Sequence, residues 1–193
     1  MAVPAGHHRL GPDCGRLVLH TFRDGLAARA GHDLTIEVVG WSGELDVNAD
    51  LTPARLELRF SMGSLAVRHG TGGALPITGR DRREIAFTAR KTLAAERHPE
   101  ASFSATEFRP GAGGGTGSGG GVVAGTLTLA GVTRPLQLQV AAAGDDRFHV
   151  TTSVTQSEFG IKPYAGFLGA LKVRDEVDVE ADIDLSGQAG GAA

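Results

Sequence analysis

The last strand-like segment of the chain, Glu176 to Leu185, alternates between acidic and apolar residues at every one of its ten positions. Successive side chains of a β-strand point to opposite faces, so a period of two places all the carboxylates on one face and all the apolar groups on the other. A helix would distribute the same residues around its circumference. The segment therefore predicts a strand of an antiparallel sheet with one solvated face and one apolar face.

The overall charge argues against several classes of partner. The net charge is -3 at pH 7, which gives no field for nucleic acid or for an acidic membrane surface. No apolar run approaches the roughly 20 residues of a membrane-spanning helix, so no integral association with a membrane is expected. The N-terminus also lacks the basic and apolar regions of a signal peptide. We therefore expect a cytoplasmic protein.

The residue composition favours an all-β protein. The chain has 29 glycines and few aromatic residues, and its Val, Leu and Thr residues recur in short alternating runs. Its single cysteine, Cys14, excludes an intramolecular disulfide and a cysteine-based zinc site. Besides the closing segment, alternation predicts strands over Arg16 to Arg23, Asp33 to Val39, Trp41 to Val47, Ala54 to Met62, Ala101 to Phe108, Val123 to Ala130, Arg134 to Ala142 and Arg147 to Val154.

One segment reads as a helix. Thr78 stands three residues before Asp81, which is a capping-box-like start, and apolar Ile85, Ala89 and Leu93 follow at a spacing of four. We expect the helix to end before Pro99.

The predicted elements favour closure of the sheet. One helix cannot cover an open sheet of about eight strands, whose edges would remain exposed. We therefore predict a closed antiparallel β-barrel of about eight strands with one helix, which encloses side chains or one small ligand. The barrel domain is predicted over residues 15–186, after a flexible segment, 1–14, and before a disordered tail, 187–193.

The glycine-rich run over residues 110–121 satisfies G-x-G-x-x-G at Gly115, Gly117 and Gly120. A phosphate-binding loop of this kind needs a strand before it and a helix start after it. A strand-like segment follows here instead. We interpret the run as a flexible hairpin connection.

Three stretches together resemble the YceI-like family of lipocalin-like polyisoprenoid-binding proteins. They are PEASFSATEF (Pro99 to Phe108), VAGTLTLAGVTRPLQLQV (Val123 to Val140) and QSEFGIKPYAGFLGALKVRDEVDVEADIDL (Gln156 to Leu185). Weaker similarity extends back through GELDVNADLTPARLELRFSMGSL. Many members have arginine where this chain has Gln156, so a charge that could meet a ligand headgroup is absent here.

The resemblance implies a bacterial barrel that holds a polyisoprenoid, a quinone or a similar amphiphilic lipid without catalysis. Small residues recur in the apolar phases at Gly43, Ala105, Gly125 and Ala181, which indicates an interior that does not fill itself. The predicted ligand-binding residues are Leu34, Ile36, Trp41, Leu45, Leu58, Phe60, Phe103, Leu127, Leu129, Leu138, Phe148, Phe159, Ile161, Tyr164, Phe167 and Val179.

Two other functions stay open at this point. His32, Lys162 and Tyr164 could serve a small-molecule enzyme at the barrel mouth, although His32 and its neighbour Asp33 would point to opposite faces of a strand. A barrel that fills itself could act as an interaction or stress-response module. No G-x-S-x-G elbow and no metal-binding histidine spacing occurs, so neither catalytic residues, nor a metal, nor a cofactor is expected. A homodimer is left open.

Overall fold

The computed structural model describes residues 3, 5–50, 52–73, 75–111, 120–144 and 146–187. Within these ranges the chain forms fourteen β-strands and the α-helix α1 (Gly79–Thr92). The strands are β1 (Gly6–Leu10), β2 (Gly15–Thr21), β3 (Arg23–Asp24), β4 (Asp33–Val38), β5 (Trp41–Val47), β6 (Pro53–Ser61), β7 (Leu65–Thr71), β8 (Glu100–Pro110), β9 (Gly120–Leu129), β10 (Val132–Gly144), β11 (Arg147–Thr155), β12 (Ala165–Gly166), β13 (Leu171–Val173) and β14 (Glu176–Asp184).

Eleven strands form one curled antiparallel sheet in the order β1-β5-β6-β8-β9-β10-β11-β14-β2-β4-β7. The all-β class with one helix is confirmed, but the predicted closed ring of eight strands is corrected, because this hydrogen-bonded order has two ends. The reason lies in two breaks. The chain bends at Gly40 between β4 and β5, and a 3-10 turn at Met62–Ser64 separates β6 from β7. As a result, β4 and β5, although consecutive in the chain, lie near opposite ends of the strand order, and so do β6 and β7.

The acidic and apolar phases of β14 face opposite sides of the sheet, as the alternation predicts. β14 lies between β11 and β2, with Val179 opposite Thr152 on one side and Leu19 on the other. The apolar side chains from Val177 to Ile183 line the interior. The carboxylates face outward, where Asp178 accepts a hydrogen bond from the Ser153 hydroxyl over 2.7 Å.

Helix α1 starts and packs as predicted. The Thr78 hydroxyl accepts a hydrogen bond from the Asp81 N–H, and the Asp81 carboxylate accepts one from the Thr78 N–H over 2.8 Å, which completes a capping box. Ile85, Ala86 and Ala89 pack against the core cluster that contains Ile36, Val38, Trp41 and Leu65. The helix thus packs alongside β7, the last strand of the sheet order, with its first turn near Gly70 and its last turn near Gly63. We call the end of the sheet at which α1 begins the helix end.

A second core cluster forms around Phe103, where β8, β9 and β10 meet the turn at Phe159. Phe103 is 2% exposed and pairs across the sheet with Leu58 and Leu127. The segment between β11 and β14 crosses the helix end, where β12, β13 and β3 form a separate three-stranded sheet.

The segment 1–14, whose flexibility stays a prediction, contains a strand. Gly6–Leu10 forms β1 and pairs with β5, so that His8 faces Leu45 and is 1% exposed. Gly6 begins this strand and Gly11 follows it, so neither glycine interrupts the pairing.

The glycine-rich run lies mostly outside the described residues, which omit 112–119, and the predicted tail is described only at Gly187. The ends that the run connects are described, with Pro110 opposite Gly121 at the end of the sheet away from α1. We call this the opposite end. No helix within the described ranges is long and apolar enough to cross a membrane.

Candidate functional site

The curled sheet encloses a cavity of about 710 Å³. Apolar side chains from β2, β4, β6, β8, β9, β10, β11 and β14 line it, and α1 contributes Ile85, Ala89 and Leu93. Protein interiors are normally packed as densely as organic crystals, so a void of this size is unusual for a purely structural core. Its volume falls within the range of small-molecule binding sites.

The small residues of the apolar phases have two different roles. A Cβ on Gly125 would lie 2.5 Å from the Phe103 ring, and one on Gly43 would lie 2.4 Å from the Leu58 side chain. These glycines therefore accommodate large neighbours instead of leaving space. Ala181, by contrast, lines the cavity directly between its cross-strand partners Val150 and Leu17.

Thirteen of the sixteen predicted ligand-binding residues line the cavity: Leu34, Ile36, Trp41, Leu58, Phe60, Phe103, Leu127, Leu129, Leu138, Ile161, Tyr164, Phe167 and Val179. Trp41 also belongs to the first core cluster. Contact of these residues with a ligand stays a prediction.

Leu45, Phe148 and Phe159 do not line this cavity. Leu45 lies towards the opposite end, paired with His8 and Leu56. Phe148 is the second residue of β11 and also lies at that end. Phe159 packs in the second core cluster and borders a smaller hollow of about 330 Å³ between β10, β11 and the following turn.

The mouth of the cavity opens at the helix end. Among the lining residues, Phe167 is 71% exposed and Tyr164 is 43% exposed, and the charged side chains of Asp81, Glu84 and Lys172 are exposed beside them. The first turn of α1 thus forms one side of the mouth, and the segment from Tyr164 to Lys172 forms the other. The cavity is therefore apolar inside and polar at its opening.

Arg23 and His32 complete the mouth and are held in place by hydrogen bonds to the backbone. Arg23 Nη1 donates to the Gly31 carbonyl over 3.0 Å, and His32 Nε2 lies 2.8 Å from the Leu75 carbonyl. Gly72 and Gly73 both have φ of +75°, and a Cβ on either would overlap Arg23 or His32, respectively. Only glycine combines this backbone conformation with so little bulk.

Asp81 is a fixed negative charge at the mouth. The hydrogen bond from the Thr78 hydroxyl, followed by the one from the Thr78 N–H, lowers the pKa of Asp81 below its ordinary value of 3.8. The carboxylate therefore stays ionised at neutral pH beside the cavity opening.

Gln156, at the position where the resemblance implies arginine in many members, lines the cavity and is 9% exposed. Its Nε2 donates to the carbonyl oxygens of Arg174 over 2.9 Å and of Asp175 over 3.3 Å. The amide thus links the two ends of the segment that connects β11 to β14. It offers a ligand a neutral group and no positive charge.

The three residues considered for catalysis are only partly brought together. His32 and Tyr164 both line the mouth, whereas Lys162 is exposed and does not line the cavity. His32 is already engaged by the Leu75 carbonyl.

One cluster on the outer face has the composition of a metal site. His149, Glu180 and Asp182 place potential ligand atoms within 4.8 Å of one another. His149 comes from β11 and the carboxylates from β14, so spacing within one segment of the sequence could not reveal the group. The short contacts are those of cross-strand ion pairs, with His149 Nδ1 2.9 Å from the Asp182 carboxylate.

This pair should make stability depend on pH. The hydrogen bond to Asp182 raises the pKa of His149 above its ordinary value of 6.5. A pKa raised by folding stabilises the fold below about pH 6.5, and the contribution is lost as the pH rises through the folded-state pKa. Asp182→Asn should therefore lower the melting temperature at pH 5.5 by about 1–2 °C more than at pH 9. In a His149→Gln background this pH dependence should disappear, and its persistence there would contradict the assignment.

The polar residues of the mouth were mostly missed by the sequence analysis. Arg23, Asp81, Glu84 and Lys172 come from three separate elements, β3, α1 and β13, and form no motif. The only local signal was the position of Asp81 in the capping box, which concerns the helix and not the cavity.

A family model described as YceI-like domain matches residues 24–185. No curated protein matches the chain. Among solved structures, BcnA of Burkholderia cenocepacia is 14% identical, with a TM-score of 0.57 over 88% of this chain and 94% of that one. A polyisoprenoid binding domain from Saccharophagus degradans, implicated in plant cell wall breakdown, is 16% identical, with a TM-score of 0.55 over 93% and 97%. At these identities the likeness concerns the fold.

Proposed function

This chain belongs to the YceI-like family, and on that premise we propose that it binds a polyisoprenoid or a similar amphiphilic lipid, such as a quinone, inside the cavity without transforming it. The lipocalin-like architecture serves this function by holding the apolar chain within the curled sheet. The thirteen predicted residues that line the cavity contact that chain, and the headgroup lies at the helix end.

The observation that carries the proposal is the unfilled apolar interior. A cavity of about 710 Å³ is surrounded by Leu, Ile, Val and Phe side chains, and burial of apolar surface is the main source of affinity for a lipid. Each buried methylene-sized group contributes about 0.8 kcal/mol. A few isoprene units therefore suffice for micromolar affinity after the cost of association is deducted.

The distribution of polar groups gives the ligand an orientation. Among the described residues, the charged side chains that line the cavity are confined to the mouth, where Arg23, Asp81, Glu84 and Lys172 lie. A polar headgroup remains hydrated there, while the chain extends towards Phe103 and Leu127. The glycine-rich run connects strands at the opposite end, so this orientation assigns it no contact with the headgroup.

The proposal is tested by filling the cavity. Ala181→Phe places a ring in the lipid's space and should weaken the binding of a prenyl alcohol by at least about tenfold, since several buried methylene groups are displaced. Ala141→Phe is the matched control, because Ala141 is exposed and lies outside the cavity lining. Tryptophan fluorescence titration can follow binding, since the only tryptophan, Trp41, lines the cavity. Equal affinities of the two variants, both folded, would contradict binding inside the sheet.

The alternatives receive less support. A self-filled interaction module would not need a cavity of this size, and the enzyme hypothesis would need Lys162 at the mouth. The cytoplasmic location and the homodimer stay predictions.

A further inference from the structure

Large apolar side chains are exposed around the mouth of the cavity. Leu26 and Leu168 are fully exposed, and Phe167 and Leu75 are exposed by 71% and 76%. Single exposed apolar residues are ordinary, but several at one opening mark an interaction site.

The turn that carries two of these side chains has an unusual backbone. Phe167 has φ of 49° and Leu168 has φ of 56°, a region that bulky residues rarely adopt. The turn is held against the loop of Leu26, since the Ala27 N–H donates to the Ala170 carbonyl over 2.8 Å. The fold therefore keeps two large apolar side chains in solvent at a cost in backbone strain, which is typical of functional segments.

Helix α1 continues this surface with its outer face. Arg80, Arg83, Phe87 and Lys91 follow at spacings of three and four, which places them on one face, and all four are exposed. The other face of the helix lines the cavity through Ile85 and Ala89. The outer face is thus mainly basic, with one aromatic residue and with Glu84 at its border with the mouth.

Positive charge is concentrated around the mouth. The segments 24–30, 75–91 and 162–172 together contain eight Lys and Arg residues but only three Asp and Glu, whereas the whole chain has 19 and 22. Among the described residues, none of these eight cations forms an ion pair with a carboxylate, whereas Arg16, Arg55, Arg59, Arg68, Arg109 and Arg147 elsewhere on the sheet all do. The net charge of -3 suggested no attraction to an acidic surface. That value describes the whole chain and does not show the local excess of positive charge at the mouth.

We propose that the helix end docks on the surface of an anionic lipid bilayer, with the mouth of the cavity turned towards the membrane. Basic residues next to exposed Leu and Phe side chains are the combination that binds anionic lipid interfaces. Docking in this orientation lets a lipid pass between the bilayer and the cavity without crossing water. The inference rests on the proposed lipid binding and adds the surface from which the lipid is taken.

The test is sedimentation with vesicles of phosphatidylcholine alone or with about a third phosphatidylglycerol. The protein should bind the anionic vesicles, and binding should weaken as salt is raised, because exposed charges are screened. Arg80→Glu/Arg83→Glu should weaken binding by at least about tenfold, since each removed cation alone accounts for severalfold. Leu26→Ser/Leu168→Ser should also weaken it. Equal, salt-independent binding to both kinds of vesicle, or no binding to either, would overturn the proposal.

Two control variants make the test specific to the helix end. Arg55→Glu/Arg109→Glu changes the net charge by the same amount at the opposite end. Val39→Ser removes an apolar side chain that is 41% exposed between β4 and β5. Both should bind anionic vesicles like the wild type. If the two charge variants lose binding equally, net charge and not this surface governs the attraction, and the proposal fails.

Binding of a soluble prenyl alcohol is measured on the same variants. Leu26, Arg80, Arg83 and Leu168 do not line the cavity, so that affinity should be unchanged. A wild-type protein that binds the alcohol but no vesicles refutes docking alone. One that binds vesicles but no alcohol refutes the proposed function alone.

Discussion

Leu127→Lys should destabilise the protein by about 3 kcal/mol or more, because it buries an ammonium group without a partner in the apolar interior. Leu127 is 7% exposed, lines the cavity and packs in the cluster around Phe103. For a chain of this length the loss corresponds to a fall of about 10 °C in melting temperature.

The adjacent position provides the control. Thr128 has the opposite phase on β9, and its hydroxyl lies 2.8 Å from the Thr133 hydroxyl on the outer face. Thr128→Lys should shift the melting temperature by only a few degrees, since surface substitutions rarely cost more than about 0.5 kcal/mol beyond a lost hydrogen bond. Similar melting temperatures for the two lysine variants would contradict the assignment of the strand faces.

Phe103→Ala should cost about 3–5 kcal/mol in the free energy of unfolding, measured by urea denaturation. The ring is 2% exposed and lies over Gly125, whose missing side chain leaves room for it. Truncation removes these contacts and enlarges the void beside the cavity. Phe87→Ala is the matched exchange on the surface of α1, where the ring is 60% exposed, and it should be nearly neutral. A loss below about 1 kcal/mol for Phe103→Ala would show that Phe103 is not the centre of this core.

Local patterns were sufficient for the strand faces and the helix. The two-residue period of β14 and the spacing of Ile85, Ala89 and Leu93 reflect burial on one side of an element, which the sequence records directly. They could not show that the strand order has two ends, because the bend at Gly40 and the short turn at Met62–Ser64 act through pairing with distant strands. β1 was missed for the same reason, since its partner β5 lies more than thirty residues away.

The same distinction between local patterns and tertiary contacts applies to the candidate site. The alternation of apolar and polar residues was enough to predict that residues such as Ile36 and Leu138 face the interior. It could not predict the mouth, because Arg23, His32, Asp81 and Lys172 come together only through tertiary contacts. The two glycines that make room for Arg23 and His32, Gly72 and Gly73, carry no signal until those side chains are placed over them. Cross-strand clusters such as His149 with Asp182 also cannot be recognised from spacing along the chain, because their members lie on different strands.

Native mass spectrometry of protein purified without detergent tests most directly whether the cavity holds a lipid. The wild type should carry an added mass that organic solvent releases as a prenyl-chain lipid, or should take up an added prenyl alcohol at one equivalent. Ala181→Phe should do neither, and Ala141→Phe should behave like the wild type. A wild-type protein that shows only the mass of its own chain and takes up no prenyl alcohol would contradict the account.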